Sequence, residues 1–141
     1  MKDMKELHFF LGIEVIRIPN SIMFSQWHYI LNLLFKFGMT ECKPVPTPLD
    51  QNLKLDAEIG TEECEPTQYR QLVGSLRYLT ITRPDYPVGL LSQFMETPRN
   101  IHLDCAKRVL HYVSETMDFN ILYKSSTLIQ LEGCTDAEWA G

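Results

Sequence analysis

Two carboxylates, Asp136 and Glu138, stand two residues apart directly after a strand-like run that closes on Cys134-Thr135. If the strand continues, alternation puts both side chains on one face. Paired carboxylates at a strand end can hold Mg²⁺, a hard cation that takes one or two carboxylates from a protein; exposed charges near a terminus would look the same. A second constellation lies mid-chain. Arg70, Gly74 and Arg77 fall at i, i+4 and i+7 and so share one helical face. A small residue between two guanidinium groups lets a helix approach a nucleic-acid backbone while each arginine meets a phosphate. The same spacing also fits a solvated polar face with Gly74 as a close helix-packing point. His102 and Cys105 lie three apart with His111 beyond, and Lys107, Arg108 and His111 give that helix a basic outer surface. No CxxC pair and no HExxH accompanies them, so nothing matches a closed zinc site, and Cys105 reads as a small core residue. Neither a glycine-flanked serine elbow nor a phosphate-cradling glycine loop is present.

The elements that must position these residues are readable from periodicity. The block from Leu7 ends in alternation, with Ile13, Val15 and Arg17 on one face and Glu14, Ile16 and Ile18 on the other, so it predicts a strand. Pro19-Asn20-Ser21 is a turn cluster and Ile22-Met23-Phe24 a second strand, together a β-hairpin. Ser25 is expected to cap a helix with an apolar stripe of Ile30, Leu31, Leu33, Leu34 and Phe37, closed by Gly38 in a left-handed conformation. From Cys42 to Pro66 three closely spaced prolines and an acidic tract predict an extended, mobile surface linker. Thr67 is expected to cap a helix carrying Tyr69, Leu72, Val73, Leu76 and Leu79. Thr82-Arg83-Pro84-Asp85 interrupts it, and a shorter helical segment follows to Thr97-Pro98. Asn100 then caps a helix with Leu103, Ala106, Val109, Leu110 and Val113 at helical spacing. Two strands, 119–123 and 128–134, close an α+β arrangement.

Composition bounds the rest. The 141 residues carry 45% hydrophobic and 22% charged side chains and a formal charge of -5, enough apolar mass for one core. No run approaches the roughly 18 apolar residues of a membrane span, and no signal-type segment opens the chain, so no membrane partner is expected. Four dispersed cysteines fit a reduced, intracellular setting, cytoplasmic or nuclear. The acidic balance argues against a free-standing nucleic-acid binder.

Several strings carry a resemblance. Leu7-His8-Phe9-Phe10-Leu11-Gly12-Ile13-Glu14-Val15, Phe24-Ser25-Gln26 with Tyr29-Ile30-Leu31, and Lys36-Phe37-Gly38-Met39 recur in that order in copia-type retrotransposon Pol polyproteins. So do Tyr69-Arg70-Gln71-Leu72-Val73-Gly74-Ser75-Leu76-Arg77-Tyr78-Leu79, Thr82-Arg83-Pro84-Asp85 and Leu91-Ser92-Gln93-Phe94-Met95. The terminal Thr135-Asp136-Ala137-Glu138-Trp139-Ala140-Gly141 is similar to the family's Ser-Asp-Ala-Asp-Trp-Ala-Gly. The resemblance implies the C-terminal part of a reverse transcriptase: end of palm, primer-grip hairpin and helix over 1–40, a Pro-rich acidic linker over 41–66, thumb-like helices over 67–117, and over 118–141 a connection running into a ribonuclease H-like sheet. It implies that Gly12, Ile13 and Glu14 lie in the primer grip, and that Arg70, Gly74 and Arg77 track a primer–template or RNA–DNA hybrid. Asp136 would be the first ribonuclease H carboxylate, and Glu138, which replaces an aspartate of the pattern, a less direct metal ligand.

Mg²⁺ is implied for the parent enzyme, and none is expected for this chain alone. The family's Tyr-x-Asp-Asp turn is missing, since no Asp-Asp pair occurs. The chain is therefore expected to position primer–template but to be catalytically incomplete without the remaining palm and ribonuclease H segments. Exposed apolar groups such as Phe9, Phe10 and Trp27 predict self-association. The alternatives are a host-retained helical protein-interaction module and a non-functional remnant. The family pattern Arg-Pro-Asp-Ile-Ala-Tyr-Ala-Val is here two residues shorter, Arg83-Pro84-Asp85-Tyr86-Pro87-Val88, so the next helix start must be rebuilt or its packing damaged, as in a decaying copy.

Overall fold

A computed structural model describes residues 6–43, 45–50, 55 and 62–125. The strands are β1 (Phe9–Phe10), β2 (Ile13–Ile18), β3 (Ser21–Ser25) and β4 (Ile121–Lys124). The helices are α1 (Trp27–Lys36), α2 (Pro66–Leu79), α3 (Val88–Ser92) and α4 (Asn100–Glu115). The strands form one antiparallel sheet in the order β1-β2-β3-β4. The class is α+β, as expected.

The opening block is not one strand. Leu11 and Gly12 adopt φ of +50° and +82°, and Phe10 pairs with Ile13. This is a two-residue loop of the type I′ pattern, whose twist matches that of the strands it joins. The second turn uses Pro19 and then Asn20 at φ +56°, with Ile18 paired to Ser21. β4 differs from expectation too. Its partner is β3, with Phe24 opposite Ile121 and Met23 opposite Leu122, so it extends the opening hairpin instead of beginning a separate C-terminal sheet. The expected strand 128–134 lies outside the described residues.

The core belongs to the helices. Tyr69, Leu72, Val73, Leu76 and Leu79 of α2 meet Leu103, Ala106, Val109, Leu110 and Val113 of α4, joined by Ile30, Leu33 and Leu34 of α1 and Val88 and Leu91 of α3. All five α2 residues and all five α4 residues are buried, as their spacing predicts. Each fully buried leucine contributes roughly 1.5–3 kcal/mol. Leu31, expected in the α1 stripe, is exposed.

Helix starts are shifted from their expected caps. Ser25 ends β3, and Gln26 is the α1 N-cap, while the Ser25 hydroxyl still accepts from the Trp27 N–H at 3.3 Å. Glu65, not Thr67, caps α2. Its carboxylate accepts from the N–H groups of Thr67 (3.0 Å) and Gln68 (2.6 Å), and Pro66 sits at the first helical position, where its missing donor is not needed. Arg99, not Asn100, caps α4, because the His102 ring accepts the Arg99 N–H. The end of α1 is as expected. Gly38 has φ +66°, its N–H donates to the Phe35 carbonyl, and the Met39 N–H donates to the Leu34 carbonyl, a Schellman ending.

The two-residue shortening after Asp85 is absorbed by rebuilding. Pro87 becomes the N-cap of α3, and Tyr86, Val88 and Leu91 are buried, so the core packing survives. In the stretch expected to be a mobile linker, several described residues are hydrogen-bonded to α4 and the segment before it. The Thr47 hydroxyl accepts from Arg108, the Lys43 carbonyl from His111 and the Pro98 carbonyl from the Cys64 N–H, while the Glu62 carbonyl accepts from the Asn100 N–H.

Candidate nucleic-acid interface

The sheet meets the helices where the Gly12 turn approaches Tyr78 and where Gln26 bonds to the end of α2. A Cβ on Gly12 would lie 3.4 Å from the Tyr78 hydroxyl, so the Leu11–Gly12 turn rests on the side of α2. A glycine suits both the positive φ and the close approach. Tyr78 is braced from below. Its ring packs edge-on against Tyr29 with centroids 4.8 Å apart, and the Tyr29 hydroxyl donates to the Ser75 carbonyl. Burial pushes the Tyr29 phenol above its usual range, so it stays a donor. Gln26, almost wholly buried, donates to the Tyr78 carbonyl at 3.2 Å and accepts from the Thr82 hydroxyl at 2.5 Å. This link fixes the junction of β3 and α1 to the end of α2.

Arg70, Gly74 and Arg77 are all exposed on the outer face of α2. A Cβ added at Gly74 would meet nothing within 4 Å, so the glycine is not a helix-packing point; the space above it is open. The two arginines differ. Arg70 turns back on its own fold, donating from Nε to the Met95 carbonyl (2.8 Å) and from a terminal nitrogen to the Glu96 carbonyl (3.3 Å). Arg77 is exposed one position before Tyr78, whose ring is the contact made with the hairpin turn. Of the hairpin residues, Ile13 and Glu14 are half-buried, and Glu14 contacts the exposed His28 imidazole. Asp136 and Glu138 lie outside the described residues. His102, Cys105 and His111 do not assemble: among the described residues no three His, Cys, Asp or Glu side chains gather into a metal site. Burial raises the Cys105 thiol above its usual range, which keeps it protonated and inert. The basic face of α4 is partly spent, since Arg108 and His111 hold the 43–47 segment.

A structural constellation escaped the sequence reading. The Arg83 side chain is buried, with both ends of its fork on Asp85 at 2.8 and 2.7 Å and its other terminal nitrogen on the Thr116 carbonyl (2.7 Å) and hydroxyl (3.0 Å). Its guanidinium lies 4.4 Å from the Tyr86 ring centroid and 5.3 Å from that of Phe119. Burial disfavours the charge most strongly, but the Asp85 hydrogen bonds together with the electrostatic influence of Tyr86, Asp85 and Tyr112 hold Arg83 above its usual value. The same bonds hold the Asp85 carboxyl below the usual carboxylate range. This network ties the end of α2 to the end of α4. Thr82-Arg83-Pro84-Asp85 stood in the sequence as a helix interruption, and Tyr78 as one aromatic among several. Neither spacing nor periodicity marks a partner such as Thr116.

Comparison with known proteins places this geometry. Residues 1–51 match the family described as reverse transcriptase (RNA-dependent DNA polymerase). The whole chain is 46% identical to part of the retrovirus-related Pol polyprotein from transposon RE1 of Arabidopsis thaliana, covering 10% of that protein. It is 36% identical to part of the Pol polyprotein from transposon TNT 1-94 of Nicotiana tabacum, covering 11%. An uncharacterized mitochondrial protein of Arabidopsis thaliana is 38% identical over the whole chain, which spans 59% of it. The chain thus spans about a tenth of the Pol polyproteins it matches. No solved structure matches it. With its first third matching the reverse transcriptase family and retrotransposon Pol polyproteins similar along all of it, the chain corresponds in sequence to a segment of copia-type Pol polyproteins.

Proposed function

We propose that this segment holds a primer–template duplex, an RNA–DNA hybrid, along a path from the Leu11–Gly12 turn across the outer face of α2. In this reading bond making and breaking fall to the remaining palm and ribonuclease H segments of the polyprotein. The observation that carries the reading is the seat of the hairpin turn on Tyr78, one helical turn along the same face from the open space at Gly74. A duplex backbone lying there would meet an uncommitted guanidinium, an unobstructed stretch of helix and a turn with no side chain at its closest point. Arg70 is the lesser contact, since two of its donors already serve carbonyls. Mg²⁺ has no seat among the described residues, whose carboxylates do not cluster, so no step is assigned to it here. Asp136 and Glu138 are proposed as ribonuclease H ligands only within the longer polyprotein.

Fluorescence anisotropy with a labelled RNA–DNA hybrid tests this across a salt series. The full chain should bind, with log affinity falling linearly against log salt. Arg77→Ala should flatten that slope by about 0.9, the value of one phosphate contact, and Arg70→Ala by less. Undetectable binding, or a slope untouched in the double variant, refutes the proposal. If a host protein is captured while hybrid binding stays absent, the interaction-module reading replaces it.

A further inference from the structure

The His102 imidazole has no exposed surface in the described fold. It stacks on Phe94 with ring centroids 4.0 Å apart and planes within 17°. Its two nitrogens do different things. Nδ1 accepts the Arg99 backbone N–H at 3.0 Å, and Nε2 faces the Leu55 carbonyl at 3.3 Å. The acceptors fix the tautomer: neutral imidazole with the proton on Nε2. His102 therefore takes up a free N–H at the start of α4 from the third helical position, the half of a capping box ordinarily made by Glu or Gln. Around this cap the 62–64 strip is fastened. Glu63 and Arg99 form an antiparallel bridge, Cys64 N–H donates to the Pro98 carbonyl, and Asn100 N–H donates to the Glu62 carbonyl.

We propose that His102 is an acid-released latch that fastens the 62–64 strip and Leu55 to the start of α4. A proton on Nδ1 would turn the acceptor into a donor facing the Arg99 N–H, leaving two buried donors opposed and a buried cation beside the Arg99 guanidinium. Among the described residues, three groups face the ring. The Leu55 carbonyl favours the charged form, the Arg99 guanidinium disfavours it, and the Tyr69 ring, 6.4 Å away, carries a phenol that burial keeps neutral. Burial is the largest influence, and it holds His102 below the usual histidine range. The sign follows. The latch is fully closed above about pH 6.5, where even the unfolded ring is neutral. Its contribution is lost as pH falls from there through the lowered folded value.

The test is amide hydrogen exchange with NMR detection on the full chain at pH 7.5 and pH 5, rates corrected for intrinsic pH dependence. The Cys64 and Asn100 amides should lose protection by at least about tenfold at the lower pH, the factor carried by one pKa unit. His102→Gln supplies an uncharged acceptor at the same capping position and should abolish that loss, while His111→Asn, which touches Lys43 instead, should keep it. Ring ¹⁵N shifts of the wild-type protein give a reading that needs no variant, and Nδ1 protonation should track the loss of protection. Unchanged protection in the wild type, an equal loss in His102→Gln, its disappearance in His111→Asn, or a ring titrating at or above the usual histidine value each overturns the latch.

Discussion

Arg83 is a guanidinium taken almost wholly out of water, donating two hydrogen bonds to Asp85 and two to Thr116. Removing it would cut the link between the ends of α2 and α4, although the Thr116 carbonyl keeps the Phe119 N–H and its hydroxyl keeps the Tyr112 carbonyl. Arg83→Ala is expected to cost about 1.5–3 kcal/mol in lost charge-assisted hydrogen bonds, read as a lower urea midpoint with an unchanged slope. Arg83→Lys should rescue little, because an ammonium cannot make the fork to Asp85. Asp85→Asn should cost less, since that side chain is about half exposed at 47%. The motif containing these residues was visible in the sequence, but its meaning was not. A buried charge is recognised by its partner, and Thr116 stands far along the chain from Arg83. Arg70 teaches the converse. Its place on the outer face was legible, but its bonds to the Met95 and Glu96 carbonyls were not.

At the scale of elements, the helical faces were the easiest to read, because periodic apolar residues have to be buried somewhere and α2 and α4 bury them in each other. Helix starts were harder, since a cap depends on which side chain reaches the first free N–H groups. The Leu11–Gly12 turn escaped for a different reason. Leucine is a poor occupant of a left-handed position, so nothing in Phe10-Leu11-Gly12-Ile13 announced a type I′ loop. Leu11 is 72% exposed there. Leu11→Asn should therefore stabilise the hairpin by roughly 0.5–1 kcal/mol, because asparagine tolerates the same φ better. Gly12→Ala should destabilise by about 1 kcal/mol or more, being strained at φ +82° and pressed toward Tyr78. Thermal midpoints of the two variants on either side of the wild type would check both.

For the molecule as a whole, the helices enclose a core while the sheet meets them at the Gly12 turn and at Gln26 and leaves apolar groups on view. Ile16 and Leu122 flank Met23 in one cross-strand row, and Phe9, Phe10 and Tyr123 are also exposed. Sedimentation of the chain should show concentration-dependent association, and Ile16→Lys with Leu122→Lys should shift it toward monomer. The α+β class was legible from the order of periodic segments. The closure of the sheet was not, because pairing between β3 and β4 joins residues nearly the length of the described chain apart. That closure couples the two ends of the described fold. A frameshift or stop codon falling after Met117 would strip the ribbon of its outer strand and leave β3 with bare amide and carbonyl groups along one side. Damage late in the reading frame would thus be felt at the turn that sits on Tyr78.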